Sequence, residues 1–299
     1  MSSRSLPQSA DPTTLHDLAS LAKPRITLMV VITAAGGMFL APATIPVATA
    51  LVMLLTTATV VAGANSLNCW LERDSDRFMQ RTKDRPLPAG RMEPKVAMVF
   101  GASLGLFSVP ALTFLVNPVT GALGALALVS YVAVYTPLKQ RSSVALLIGA
   151  VPGALPPLMG WTAATGTIDA PGLVLFGILF FWQVPHFLAI SIYRQEDYER
   201  AGLKTLPAER GLAASKRQAF LHTGALVVCT VLLALYGTAG VIYLAAAIGL
   251  GLHFLWVAAK GFRLEERPAV DKWAKKLFVT SLIYLTALFA ALMIDAIVL

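Results

Sequence analysis

Charge is what this sequence has least of. Only 13% of its 299 residues are Asp, Glu, Lys or Arg, against 57% hydrophobic, and the mean hydropathy is +0.70. A water-soluble domain of this size needs more polar surface than that, so a soluble fold is excluded. Cysteine is almost missing too. Cys69 and Cys229 stand alone without metal-binding spacing, which removes a disulfide framework and a thiolate zinc site. Acidic residues number 16 against 24 Lys and Arg, a net charge of +8. In a soluble chain that balance would raise nucleic acid as a partner. Here the long apolar runs between the charges point to the lipid bilayer instead, and no nucleic-acid partner is expected.

What the chain does have is apolar length. About nine segments reach the span of a bilayer: 26–42, 48–70, 95–115, 121–138, 143–161, 171–192, 218–236, 241–259 and 277–297. The loops between them alternate. One set is basic: Arg73 to Lys95, Lys139 to Arg141, Arg194 to Arg217 and Lys260 to Lys276. The other set, after Leu40, at Asn117, after Trp161 and at Gly237, carries no Lys or Arg. With Arg4, Lys23 and Arg25, every cation falls on one side. This positive-inside pattern puts the N-terminus and that face in the cytoplasm, in a bacterial inner (cytoplasmic) membrane. The expected fold is all-α: a polytopic membrane protein of about nine transmembrane helices. Residues 1–22 read as a flexible cytoplasmic tail, and 23–299 as the membrane domain.

The segment NCWLERDSDRFMQRTKDRPLPAGR, from Asn68 to Arg91, begins as the second span ends. Asn68, Glu72 and Asp76 are four apart and form one stripe on a helix, while Asp74 falls on the other side. An Asn and two carboxylates are oxygen ligands suited to Mg²⁺, which is commonly shared with substrate phosphates. Arg77, Arg81, Lys83, Arg85 and Arg91 follow and can neutralise phosphate oxygens. The competing reading is a solvated helix end with local pairs, such as Arg73 with Asp76. A partial copy follows the sixth span in ISIYRQEDYERAGLKTLPAERG. Tyr193 and Asp197 are four apart, Glu196 is adjacent, and Lys204 precedes Leu206-Pro207-Ala208, as Lys83 precedes Leu87-Pro88-Ala89. Two such mouths facing each other would make one cavity with two metal-binding walls. Acids at the membrane mouth are costly unless they bind something, which favours a functional reading.

These residues resemble the UbiA superfamily of intramembrane aromatic prenyltransferases. The resemblance spans nearly the whole chain from Lys23. It implies helices around a central cavity, with acidic motifs on the second and sixth helices binding Mg²⁺ and an isoprenyl diphosphate. Four segments narrow the match to the haem-prenylating branch: LAKPRITLMV, the Asn68–Arg91 segment, IGAVPGALPPLMGW from Ile148 to Trp161, and FWQVPHFLAISIYRQEDYERAG from Phe181 to Gly202. That branch implies farnesyl diphosphate as donor, haem b as acceptor and haem O as product. The haem A synthase that would consume the product enters as a candidate partner. Asn68, Glu72 and Asp76 map onto the first motif; Tyr193, Glu196 and Asp197 fall in the second, with the choice between Glu196 and Asp197 open. Glu72 stands where many relatives have Asp, and apolar residues around Ala145 replace an Asn that relatives carry before Gly149.

The diphosphate would then meet Lys23, Arg25, Arg77, Arg81, Lys83, Arg85 and Lys204. Lys23 and Arg25 serve equally as topology signals, and Lys139 and Arg141 read as topology signals. Trp182, Gln183, His186 and Tyr193 are candidates for lining the cavity or meeting haem, though a buried, hydrogen-bonded histidine is the commoner role. Gly149, Gly153 and Gly160 read as close helix packing. Two rivals stand beside this function. One is prenylation of a quinone or other aromatic precursor; the other is a transporter, whose acids should sit deeper and lack an adjacent basic loop.

Overall fold

The computed structural model describes residues 14–298, and among them helices form the whole architecture with no strand. A short helix α1 (Leu15–Leu21) leads into α2 (Pro24–Leu40), then α3 (Val47–Asp76), α4 (Pro94–Leu115) and α5 (Pro118–Leu138). After these come α6 (Ala145–Thr165), α7 (Ala170–Tyr193), the short α8 (Gln195–Arg200), α9 (Leu206–Leu235), α10 (Val241–Lys260) and α11 (Arg267–Val298). Eight of these are long and apolar enough to cross a bilayer. The 17-residue α2 makes the ninth when taken with α1, from which it bends by 49°. Proline opens α2, α4 and α5, where its missing N–H costs nothing.

The tail expectation needs correction at its end. Thr14 and Asp17 close a reciprocal capping box on α1. The Thr14 hydroxyl holds the Asp17 carboxyl below the usual carboxylate range, and Asp17 accepts from Arg91 Nε at 3.4 Å. Leu21 is buried with Cys69, Leu87 and Met92. Leu18 and Leu21 share a face one turn apart and dock on α3. Residues 1–13 lie outside the described residues.

Two packed cores flank α6. One joins it to α2, α3, α4 and α5 through Ala34, Val60, Leu112, Leu123 and Met159. The other joins it to α7, α9, α10 and α11 through Trp161, Leu188, Leu226, Phe254 and Tyr284. Lipid tails are as apolar as leucine, so close packing must hold such helices together. Gly37 and Gly160 provide it: a Cβ on Gly37 would strike the Pro157 carbonyl, and one on Gly160 the Ala34 carbonyl. Large apolar side chains such as Leu106, Phe107 and Phe114 remain exposed on α4, as a lipid-facing surface requires.

The loops without Lys or Arg gather at one end of the bundle. Asn117 Oδ1 accepts from Thr120 N at 2.9 Å, and Asp169 Oδ1 from Gly172 N at 3.2 Å. Buried Asp295, on α11, accepts from Ile242 N and Tyr243 N at the start of α10, at 3.2 and 2.9 Å. These side chains supply partners for helix N–H groups that have none within their own helix.

Candidate functional site

At the basic end, α3 runs for 30 residues without a break. Its period places Asn65, Asn68, Glu72 and Asp76 on one buried face. That face lines a cavity of about 350 Å³. Lys23, held at the α1–α2 bend in a left-handed conformation, donates from Nζ to Asn68 Oδ1 at 3.0 Å. Asn68 Nδ2 donates to Thr136 Oγ1 at 3.1 Å, and Thr136 donates on to the Tyr131 carbonyl at 2.8 Å. Both amide ends of Asn68 are thereby assigned.

The opposing wall comes from α5, whose Ser130–Tyr135 stretch is π-helical. The wider turn re-aims side chains, a device frequent at functional sites. Tyr131 and Tyr135 line the cavity there, with ring centroids 5.3 Å apart. Lys139, just beyond, forms an ion pair with Glu72. Its ammonium also lies 4.8 Å from the Tyr135 ring centroid. The sequence reading took Lys139 for a topology signal; the structure puts it in the site. Its partner is on another helix, which loop composition could not reveal.

Asp76 departs from the local-pairing alternative. Arg73 turns instead to Asp74 at 3.7 Å and to the Trp70 carbonyl. Asp76 Oδ2 accepts from Arg85 at 2.7 Å, and its Oδ1 is buried with no hydrogen-bond partner among the described residues. Such an oxygen costs desolvation energy that a bound cation or donor would recover. Four cations (Lys23, Arg81, Arg85 and Lys139) line the cavity against two carboxylates, Glu72 and Asp76. That excess suits an anion.

The second acidic segment comes up to the first. Asp197 Oδ1 accepts from Gln80 N at 3.3 Å, across 117 residues of sequence, and from Arg200 at 3.0 Å. Met79, Ala201 and Leu203 pack beneath this contact. Arg81 lies 5.6 Å from the Tyr198 ring centroid, and Tyr198 lines the cavity. Burial pushes the Tyr198 hydroxyl above the ordinary tyrosine range, so it stays a neutral donor. The two segments are not equivalent, however. Asp197 is buried, Glu196 is exposed, and neither lines the cavity. The first Leu-Pro-Ala lies in a turn, whereas the second opens α9.

Other expected site residues divide as follows. Gln183 lines the cavity, and its Nε2 donates to the Ala150 and Leu179 carbonyls. Gly149 and Gly153 line it too, and a Cβ on Gly153 would strike the Gln183 amide. His186, Trp182 and Tyr193 do not line it. His186 Nδ1 meets Ser281 Oγ at 2.8 Å, Trp182 Nε1 donates to the Ser281 carbonyl at 2.7 Å, and Tyr193 packs near Phe278. All three face α11. Arg25, Arg77 and Lys83 are exposed outside the cavity lining. Lys204 lines a smaller neighbouring pocket instead. Asn65, Tyr131, Tyr135, Lys139 and Tyr198 were not among the expected site residues. Only Asn65 had a signal, one more turn along the Asn68 stripe.

Among the described residues, no three His, Cys, Asp or Glu side chains lie close enough to hold a metal unaided. The donors at hand are Asn68, Glu72 and Asp76, all oxygen ligands, with one Asp76 oxygen unpartnered. This set fits Mg²⁺ that completes its shell on phosphate oxygens, and does not fit an all-protein cage.

Comparison with known proteins shows the family. The UbiA prenyltransferase family profile matches residues 30–282. A protoheme IX farnesyltransferase of Myxococcus xanthus is 54% identical over 284 residues, covering 95% of this chain and 96% of its own. One of Sorangium cellulosum is 48% identical, covering 90% of this chain and 100% of its own. Among solved structures, a digeranylgeranylglyceryl phosphate synthase superposes with TM-score 0.82 at 18% identity, covering 95% of this chain and 99% of its own. A UbiA homologue from Archaeoglobus fulgidus bound to DMAPP and Mg²⁺ gives TM-score 0.68 at 17% identity, covering 93% and 99%. These structural likenesses carry the fold. With its apolar helices, oxygen-ligand stripe and profile match, the chain belongs to the UbiA prenyltransferase family.

Proposed function

We infer that this protein transfers the farnesyl group of farnesyl diphosphate to a vinyl group of haem b, giving haem O. The observation that carries the reading is the cavity itself. An unpartnered Asp76 oxygen and a stripe of oxygen ligands face four cations, above a wall of Val30, Val60, Val61 and Met159. The choice of substrates rests on the relatives named protoheme IX farnesyltransferase.

Lys23, Arg81, Arg85 and Lys139 would take the diphosphate oxygens. In doing so Lys139 and Arg85 would exchange their carboxylate partners for phosphate, leaving Glu72 and Asp76 to share Mg²⁺ with Asn68. Mg²⁺ supplies charge neutralisation of the leaving group. The apolar wall receives the prenyl chain and keeps water from the allylic carbon. The Tyr131 and Tyr135 rings favour positive charge developing there. As the carbon–oxygen bond breaks, its electron pair leaves with diphosphate and the vinyl π pair forms the new carbon–carbon bond. Water then adds to the vinyl-derived cation and loses a proton, leaving a hydroxyethylfarnesyl group. The chain need supply no nucleophile; positioning and charge do the work.

Of the two acids in the second segment, Asp197 supports the site from behind the lining, because it is buried against the Gln80 N–H beside Arg81 while Glu196 is exposed. The membrane is the bacterial inner membrane, with the N-terminus and the cavity mouth toward the cytoplasm, a reading supported by the one-sided Lys and Arg. The test is direct. Purified protein with haem b, farnesyl diphosphate and Mg²⁺ should yield haem O by mass spectrometry, and chelation should stop it. No haem O, with prenylation of another aromatic acceptor, would overturn the assignment.

A further inference from the structure

Beside the main cavity, at the same end of the bundle, lies a pocket of about 100 Å³. The two share Tyr135, Lys139, Gly149, Phe187, Tyr198 and Leu203 as a common wall. The annex adds four polar side chains that the main cavity does not reach: Ser143, Ser191, Lys204 and Thr205. Its volume corresponds to roughly three water molecules, enough for one short polar arm and far too little for a macrocycle.

The polar groups here are underused. Ser143 is 5% exposed. Its N–H donates to Glu209 Oε2 at 2.8 Å, its carbonyl accepts from Leu146 N, and its hydroxyl also lies against the Glu209 carboxylate. Thr205 Oγ1 is buried and unpartnered among the described residues. Thr205 stands at the N-cap of α9, where a threonine hydroxyl ordinarily accepts a helix N–H, yet it makes no such bond. Thr14, in the same place on α1, does make it. Lys204 forms no ion pair among the described residues. Its backbone N–H donates to the Lys139 carbonyl at 2.8 Å, which fixes the segment against the cavity wall. Ser191 is buried and donates to the Leu188 carbonyl, leaving its lone pairs free. Glu209, the carboxylate nearby, is already tied to Ser143 N–H and does not line the annex. A pocket that sets an exposed ammonium without an ion pair beside a buried, unpartnered hydroxyl suits a carboxylate.

We propose that the annex is an acceptor subsite in which Lys204 and Thr205 bind a propionate carboxylate of the porphyrin while its vinyl edge lies in the main cavity. This rests on the haem reading above and adds to it a positioning site. Lys204 then serves the acceptor rather than the diphosphate. It also supplies a basis for selectivity, since an acceptor without a carboxylate arm leaves both groups unpaired.

Haem b and its dimethyl ester differ only in masking both propionates, so they form the test pair. Wild-type protein should bind the free acid roughly tenfold or more tightly than the ester. Lys204→Met should erase that preference and raise the KM for haem b, while the KM for farnesyl diphosphate stays in place. Thr205→Val should reduce the preference in part. Equal binding of acid and ester by wild-type protein overturns the proposal and needs no variant to fold. So does a Lys204→Met protein whose defect is in farnesyl diphosphate. If the ester is prenylated as well as haem b, the annex assignment fails and the haem reading stands. If neither porphyrin is bound or prenylated, both fail.

Discussion

The two ends of this bundle use the same residue types in opposite ways. At the end without cations, Asn117, Asp169 and Asp295 spend their oxygens on backbone N–H groups at helix starts. At the basic end, Asn68, Glu72 and Asp76 sit along the last turns of one helix, where no free N–H is available to them. Their partners are side chains from other segments: Lys23, Lys139 and Arg85. One Asp76 oxygen is left over. An acid in a membrane protein is therefore not a site by itself. What separates a brace from a ligand is whether the fold has already satisfied it.

The contrast breaks most sharply at Asp76. Asp76→Asn keeps the shape and loses the charge, so turnover should fall roughly 10²- to 10³-fold, the usual loss when a preorganised electrostatic contact is removed. The midpoint of thermal unfolding should fall too, because Arg85 loses its partner, by roughly 2–4 °C for each kcal/mol lost. Haem O formation and detergent-phase melting, measured on one preparation, check both halves. Retained Mg²⁺-dependent turnover would remove Asp76 from the ligand set.

Glu72 stands between the two classes, because its charge is both paired and beside the cavity. Glu72→Gln leaves the Lys139 ammonium unpaired in a site where the side chains are only 9% and 21% exposed. The expected loss is about 3 kcal/mol of stability. Adding Lys139→Met should restore most of that stability and none of the activity. A double variant that regains turnover would mean the pair is a brace alone.

At the far end the outcome should invert. Asp295→Ala strands two N–H groups at the start of α10 and should cost about 1–2 kcal/mol. Its kcat should stay within about twofold, since no cavity-lining residue touches Asp295. A large loss of kcat with unchanged melting would mean that the two ends are coupled.

Much of this was legible before any coordinates. The spans follow from apolar length, the stripe from the helical period, and the common face from one-sided Lys and Arg. What was hidden depends on contacts between distant segments or on changes of helical phase. Lys139 looked like an ordinary loop cation because Glu72 is far away in sequence. Tyr131 and Tyr135 reach the cavity through a π-helical stretch, which leaves no mark in composition. Trp182, Gln183 and His186 belong to one motif, yet a helix turns about 100° per residue. Gln183 therefore enters the cavity while His186 and Trp182 meet Ser281 on α11.

The same loss of phase decides the smallest effect. The second acidic segment looked like a copy of the first, with Tyr193, Glu196 and Asp197 continuing one helix. In the structure α7 stops at Tyr193 and α8 begins at Gln195, with Arg194 between them outside helical geometry. That break turns Asp197 inward to the Gln80 N–H and leaves Glu196 exposed. Glu196→Gln should thus alter kcat by less than about twofold, as exposed charges seldom matter more. Asp197→Asn should cost roughly tenfold, because it weakens the contact that holds the Gln80–Arg81 segment over the cavity. Measured side by side, the two variants separate a true repeat from a partial one. Equal losses would mean that both acids work on the substrate and that the break at Arg194 closes when it binds.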